Sequence, residues 1–363
     1  MATASLHIDL RALASNWQAL DSLSLTSTKT AAVVKADGYG LGAVAVTEAL
    51  VKQGVESFFV ATPEEGEIIR KSCSNAEIFV FSGYMPGDAA LYRQAELIPM
   101  LNSPEQLQGW LSDMGGRGYG LQLDTGMNRL GFEAGEMSLI AEHAVAAKLL
   151  QSHLACADKP DHPMNQQQLL DFHAITDELV RESGVRRSLA ATGGILLGSD
   201  FHFDMVRPGI GLYGGLPFAD AEAVVRLSIP VAQCRTLKPG ETVGYGGTWQ
   251  ATQETRVATL TAGYADGIHR ALGNGNSASR GANKPIDVAA ASLVLYAGDT
   301  ACPLIGRVSM DLITVDVTAL EQEPESMDLI CSHQGFDEVA AIAGTVGYEI
   351  LTACGSRYQR NYD

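Results

Sequence analysis

From Thr30 onward the chain alternates short apolar or β-branched runs with stretches that repeat apolar residues at helical spacing. The runs are Ala31–Lys35, Ser57–Ala61, Glu77–Phe81, Leu97–Leu101, Tyr119–Asp124, Leu150–Ala155, Ser188–Thr192 and Asp204–Arg207. Between them, segments such as Ala43–Gln53 and Met164–Ser183 place apolar residues at i, i+3 and i+4, as helices with one buried face do. Pro63 and Pro104 stand where two of these helices begin, a position that does not need an amide hydrogen. Eight strand–helix units predict an α/β fold of the (β/α)8 TIM-barrel type, whose functional groups collect where the strands end. An open, doubly wound sheet is the competing topology and would favour a Gly-x-Gly-x-x-Gly turn after the first strand. The turn here is Gly38-x-Gly40-x-Gly42, which has a different spacing.

After Arg226 the texture changes. Ile229–Leu237, Thr255–Ala262, Ile286–Leu295 and Leu304–Val317 are rich in Val, Ile, Thr and Leu and are broken by turns such as Lys238-Pro239-Gly240-Glu241. This pattern predicts a mostly antiparallel β C-terminal domain over 229–363, with a helical stretch from Phe336 to Cys354. The barrel then occupies 10–228. Residues 1–9 hold a short alternating strand, Ser5–Asp9, suited to pairing with the C-terminal domain.

At 363 residues the chain exceeds one ordinary core, and 46% hydrophobic with 18% charged residues describes a folded protein rather than a disordered one. A net charge of −17 repels phosphate backbones and anionic lipid, which argues against nucleic-acid and membrane partners. The first residues carry no basic-then-apolar signal, and no apolar run is long enough to span a bilayer, so the expected location is cytoplasmic. The six cysteines are scattered without paired spacing and read as reduced thiols. Cys331 and His333 could share a strand face as metal ligands, but no companion pair stands nearby, and no metal is expected.

Lys35, Asp124, His153, Thr192 and Arg207 all lie at or just past the ends of predicted barrel strands. A lysine amine at the mouth of a buried strand loses solvation, which disfavours its charge and makes it a nucleophile able to form a Schiff base. Lysine, arginine, histidine and a hydroxyl on one rim suit a phosphorylated aldehyde cofactor, and no Gly-x-Ser-x-Gly elbow argues for hydrolysis. Each residue also has a plainer reading. Gly38, Gly40, Gly42 and Gly209 could simply permit turns. Arg129 could pair with Asp124 or Glu133, His153 could be a satisfied core residue, and Tyr264 a packing aromatic.

Segments along almost the whole chain, from Ile8 to about Tyr362, decide between these readings. They are Ala32-Val33-Val34-Lys35-Ala36-Asp37-Gly38-Tyr39-Gly40, Leu123-Asp124-Thr125-Gly126-Met127-Asn128-Arg129-Leu130-Gly131-Phe132, Met205-Val206-Arg207-Pro208-Gly209-Ile210-Gly211-Leu212-Tyr213-Gly214, and Gly263-Tyr264-Ala265-Asp266-Gly267 with Gly306-Arg307-Val308-Ser309-Met310-Asp311. In this order they resemble the alanine racemases, barrel-fold enzymes that use pyridoxal 5'-phosphate. The resemblance implies that Lys35 holds the cofactor through its amine, Tyr39 reaches the phosphate, and Arg207 faces the pyridine nitrogen with His153 bonded behind it. Thr192, with the backbone amides of Gly209 and Ile210, would complete the phosphate cradle. Arg129 and the amide of Met310 would receive the carboxylate of an amino-acid substrate, with Asp311 in support. Tyr264 would act from a second subunit, making a homodimer with shared sites. Lys35 would serve as the base on the D face and Tyr264 on the L face.

The chain departs from the family pattern at several positions. Gln122 stands where many relatives have a carbamylated lysine; an amide there can accept from Arg129 but carries no charge, which predicts a small anion such as chloride near Arg129 or an altered carboxylate affinity. Ala191-Thr192-Gly193 replaces a common Asn-Ser-Ala, Ser356 falls where some members bind the phosphate with tyrosine, and Leu41 replaces a frequent histidine. Competing functions are a racemase of the same fold acting on serine, lysine or a broad set of amino acids, a metal-assisted aldolase or dehydratase of the same barrel class, and a non-catalytic carrier of the cofactor.

Overall fold

The structure is a computed structural model that describes residues 3–273 and 293–363. The chain divides into two compact units, Arg11–Glu222 and a second one made of Ala223–Asp363 together with the residues up to Leu10.

In the first unit, Ala32–Val33, Ser57–Val60, Glu77–Val80, Ile98–Leu101, Tyr119–Gln122, Ala147–Gln151 and Arg186–Ser188 form a seven-stranded sheet in chain order, every pair parallel. Met205–Val206 pairs in parallel with Lys29–Thr30, and the Arg207 amide donates to Ala190 O at 2.9 Å, which closes the expected (β/α)8 barrel. The first stave is split. Its lower part, Lys29–Thr30, faces the last strand, whereas Ala32–Val33 faces Ser57–Val60. Such an offset is the stagger that a closed barrel requires. Phe59 stacks on Phe79 and Phe81 at centroid distances of 4.8 and 5.2 Å, and Phe58, Phe59 and Phe79 are fully buried.

The helices follow their local signals. Pro63 and Pro104 open Pro63–Arg70 and Pro104–Met114, and Ser103 accepts from the Gln106 amide at 3.3 Å, a helix cap. Arg70, at the end of its helix, donates to the carbonyls of Ala95 at 2.7 Å, Ala76 at 2.8 Å, Cys73 at 3.0 Å, Glu96 at 3.1 Å and Ser74 at 3.2 Å. One guanidinium thus satisfies two consecutive loops at the base of the barrel.

The second unit is an eight-stranded, mostly antiparallel sheet. Its longest strand, Val225–Leu237, pairs with Ser326–Ile330 over its first half and with Thr255–Leu260 over its second, and register shifts let it serve both. Ser5–Ile8 lies between Val225–Ser228, antiparallel, and Gln359–Tyr362, parallel. Three expectations need correction. Leu304–Val317 is two strands, Thr300–Ile305 and Ile313–Asp316, because Gly306 at φ +69° turns the chain out of the sheet. Strands Ser326–Ile330 and Gln359–Tyr362 had no counterpart in the sequence reading. The helical tail is two short helices, Phe336–Ala343 and Gly347–Thr352. Of the expected strand Ile286–Leu295, residues up to 292 lie outside the described residues, and a strand runs Val294–Ala297. Among the described residues no helix is long and apolar enough to cross a membrane.

Candidate active site

Lys35 lies just past the first barrel strand and begins a rare piece of backbone. Ala36, Asp37, Gly38 and Tyr39 have φ of 52°, 54°, 62° and 56°, a single turn of left-handed helix. For residues with a side chain that conformation costs about 1–2 kcal/mol each, so the turn must be held from outside. Inside it, the Gly38 amide donates to Val34 O at 2.9 Å and the Gly40 amide to Ala36 O at 2.8 Å. Asp37 Oδ1 accepts from the Ala43 amide at 2.8 Å and so anchors the turn to the next helix. From outside it, Glu65 accepts from the Ala36 amide at 2.7 Å.

The Lys35 amine is half-buried, and its Nζ lies 5.7 Å from the centre of the Phe81 ring. Its pKa is lowered, first by burial and then by Arg129, while Glu65 acts in the opposite direction. Tyr39, which ends the left-handed turn, is buried and stacks on Tyr213 at 4.5 Å. Its hydroxyl sits over Gly209: a Cβ there would meet Tyr39 Oη at 2.4 Å, so only glycine lets the two approach. Thr192 is buried, and its Oγ1 accepts from the Gly209 amide at 3.1 Å and the Gly211 amide at 3.2 Å. The Ile210 amide lies between these two in sequence.

Arg207 is fully buried, and burial alone pushes its pKa down to about 9. Among the described residues no carboxylate pairs with it. It donates to Ser188 Oγ, to Ser152 O at 2.8 Å and, weakly, to Leu189 O at 3.5 Å. Ser188 in turn donates to Met205 O at 2.5 Å, which orients its lone pairs toward the guanidinium. The bond expected from His153 is therefore made by Ser188 and Ser152. His153 feels Arg207 only through its charge: burial first, then Arg207, Arg129 and Lys35, hold the imidazole pKa down to about 3.

Arg129 is exposed on a loop whose tip is fixed by Asp124 Oδ1, which accepts from the Gly126 amide at 2.8 Å and the Asn128 amide at 3.2 Å. Among the described residues it forms no ion pair with Asp124 or Glu133. These three line an open cavity of about 470 Å³. Gln122 does not accept from Arg129 as expected. Its Oε1 takes a 2.7 Å bond from Gln151 Nε2, because the two glutamines are register partners on adjacent strands. Gln151 Oε1 is buried and, among the described residues, has no partner.

In the second unit, the Tyr264 turn is laid on the loop that follows Gly306. The Tyr264 amide donates to Ser309 O at 3.0 Å and the Ala265 amide to Met310 O at 2.9 Å. Buried Asp266 accepts from the Gly263 amide at 2.9 Å. Arg357 Nη1 reaches Asp311 at 2.6 Å and Asp266 at 3.5 Å, so one cation joins the segments that carry Tyr264 and Met310. Tyr264 and Met310 are both exposed, as is Ser356 beside Arg357. His333 bonds Asp299 at 2.9 Å and stacks on Tyr296, and among the described residues no cluster of metal-ligating side chains occurs. Glu65, Gln151, Ser188 and Arg357 were not singled out from the sequence; only the position of Glu65 in a Pro-Glu-Glu helix start was visible there.

Residues 8–217 match the family described as alanine racemase, N-terminal domain, and 224–362 match alanine racemase, C-terminal domain. The chain is 53% identical over 365 residues to an alanine racemase of Cereibacter sphaeroides, covering 100% of this chain and 99% of that one. An alanine racemase of Dinoroseobacter shibae is also 53% identical, with the same coverage. Among solved structures, alanine racemase from Bartonella henselae with covalently bound pyridoxal phosphate superposes with a TM-score of 0.88 at 34% identity, covering 100% of both chains. The enzyme from Streptomyces coelicolor gives 0.87 at 28% identity, covering 99% of this chain and 98% of that one.

Proposed function

Because this chain belongs to the alanine racemase family, a family of isomerases, we propose that it interconverts L- and D-alanine with pyridoxal 5'-phosphate held on Lys35. The observation that carries this reading is the half-buried Lys35 amine, whose proton affinity is lowered, on a rim that also holds a buried guanidinium with no carboxylate partner among the described residues. That pairing fits the cofactor. Lys35 would join its aldehyde, Tyr39, Thr192, Gly209 and Ile210 would surround its phosphate, and Arg207 would face its ring nitrogen. Because guanidinium has only donors, it favours an unprotonated nitrogen there. His153, kept neutral, adds no charge beside Arg207. Ser356 is a poorer phosphate ligand than tyrosine at that position, because a serine hydroxyl has less reach.

Pyridoxal phosphate, when bound, accepts the electron pair left at the substrate α-carbon, which no side chain can stabilise. The chain supplies the rest. Arg129 and the Met310 amide bind the substrate carboxylate, with Asp311 steadying that loop. Lys35 Nζ takes or returns the α-proton on the D face, and Tyr264 Oη, from a second copy of the chain, does so on the L face. Two bases on opposite faces invert the centre without the substrate turning over. With Gln122 Oε1 committed to Gln151 and one Nε2 hydrogen weakly given to Leu123 O, its second amide hydrogen and Arg129 make a donor set suited to a small anion such as chloride. We assign the product to D-alanine supply for cell-wall peptidoglycan in the cytoplasm.

The test is direct. Purified protein supplied with pyridoxal phosphate should turn yellow, borohydride should tag the peptide containing Lys35, and L-alanine should lose its optical rotation. Colourless protein with no tag overturns the reading. Colour and tag without racemisation identify a carrier, and faster turnover of serine or lysine than of alanine identifies the broader racemase.

A further inference from the structure

We propose that Glu65 is a positioning residue for Lys35: its carboxylate ties the Ala36 amide to the Ala61 amide and so holds the left-handed turn against the end of the neighbouring barrel strand. The inference rests on the role given to Lys35 above. Glu65 is half-buried in the first turn of Pro63–Arg70, and its two oxygens accept separately, Oε1 from Ala36 N at 2.7 Å and Oε2 from Ala61 N at 2.7 Å. Both amides lie just beyond paired strands, Ala32–Val33 and Ser57–Val60. There the ladder has ended and each N–H needs another acceptor. Bonds from amides to a carboxylate are the short, strong kind, and two of them on one side chain leave it little freedom.

The position of Ala36 matters because it is the first residue with positive φ after Lys35. A turn that loses its outside hold relaxes toward right-handed backbone, and the direction in which Lys35 leaves the strand changes with it. The charge contributes as well. Arg129 lowers the proton affinity of Lys35, and the nearby Arg207 and His153 supply no negative charge. Among the described residues, Glu65 is the carboxylate whose charge acts on Lys35 against Arg129. A plainer role, an acidic residue favouring a helix N-terminus, applies equally to exposed Glu64 in the same turn. Glu64 is therefore the internal control.

The test compares Glu65→Gln, Glu65→Asp and Glu64→Gln. Glutamine turns an NH2 toward one of the two amides, and aspartate keeps the charge but is too short to span both. In the holoenzyme, each Glu65 variant should lose kcat by about 10–100-fold with little change in KM. The α-deuterium isotope effect should rise with D-alanine as substrate, the face assigned to Lys35, and should not rise with L-alanine, where a slower Lys35 step follows the labelled one. Because the two enantiomers are equal in energy, kcat/KM must fall equally in both directions, so the isotope effects carry the discrimination. In the cofactor-free protein, Lys35 of Glu65→Gln should react with trinitrobenzenesulfonate at pH 8 roughly 3–10-fold faster than in the wild type, read by peptide mapping. Glu64→Gln should match the wild type in every measurement. Wild-type kinetics and labelling in both Glu65 variants overturn the inference, as does an equal rise of the isotope effect on both faces. If the wild type does not racemise alanine, the proposed function fails, and the labelling rate alone decides the role of Glu65.

Discussion

His153 sits among Lys35, Arg129 and Arg207, three cations, and that company together with burial keeps it neutral to about pH 3 instead of the usual 6.5. The consequence for stability has a definite sign. An unfolded chain binds a proton at this imidazole below pH 6.5, and the folded chain does not, so stability falls as pH drops through that value. Above the ordinary glutamate range near 4.5, where Glu77 and its neighbours begin to contribute, His153 should dominate any loss that its substitution removes. His153→Gln should therefore flatten the dependence of the unfolding midpoint on pH between about 6.5 and 4.5 by one proton. Urea titrations of both proteins across that window give the answer; parallel curves would mean that the imidazole protonates normally in the fold. Lys35, His153 and Arg207 were legible in the sequence as residues at or just past strand ends, and Arg129 was singled out through the family resemblance. Their bonding was not legible. Ser188 took the place expected of His153 behind Arg207, and Gln151 took the Gln122 oxygen expected for Arg129, because such choices depend on register between strands far apart in sequence.

At the scale of elements, the readable features were those with local causes. Pro63 and Pro104 mark helix starts because proline lacks an N–H that a first turn does not use. The left-handed turn after Lys35 had no such cause. Ala36 and Asp37 carry side chains that disfavour positive φ, and besides the local bonds to Val34, Ala36 and Ala43 the turn is held by Glu65, 29 residues beyond Ala36. The loop between Thr300–Ile305 and Ile313–Asp316 was hidden for another reason: Val308, Met310 and Leu312 keep the apolar texture of a strand while the chain leaves the sheet. Arg70 shows how strongly one side chain can secure irregular backbone. Its replacement by methionine keeps much of the stem's packing but leaves five carbonyls without their donor. Arg70→Met should destabilise the barrel by about 2–4 kcal/mol, since hydrogen bonds from a charged group count for more than neutral ones. Chemical denaturation measures it, and a loss within ordinary surface-mutation scatter would show that water replaces the guanidinium.

For the whole molecule, the two proposed bases belong to different compact units, Lys35 to the barrel and Tyr264 to the β-rich unit. If each site takes its tyrosine from a second copy, two inactive variants should repair each other. Lys35→Ala and Tyr264→Phe, each inactive alone, should regain activity when unfolded together and refolded as a mixture, because half of the mixed dimer's sites then hold both wild-type residues. A mixture as inactive as its components would place both bases in one chain. The parallel pairing of Ser5–Ile8 with Gln359–Tyr362 has its own consequence during synthesis. On the ribosome, the strand bearing Leu6 and Ile8, fully buried in the finished protein, is made about 350 residues before the strand it pairs with in parallel. At ordinary translation speeds that interval is roughly 20–70 s. Throughout it the side of this strand that Gln359–Tyr362 will cover stands open on the nascent chain, even after Val225–Ser228 is made, a natural place for a chaperone to bind.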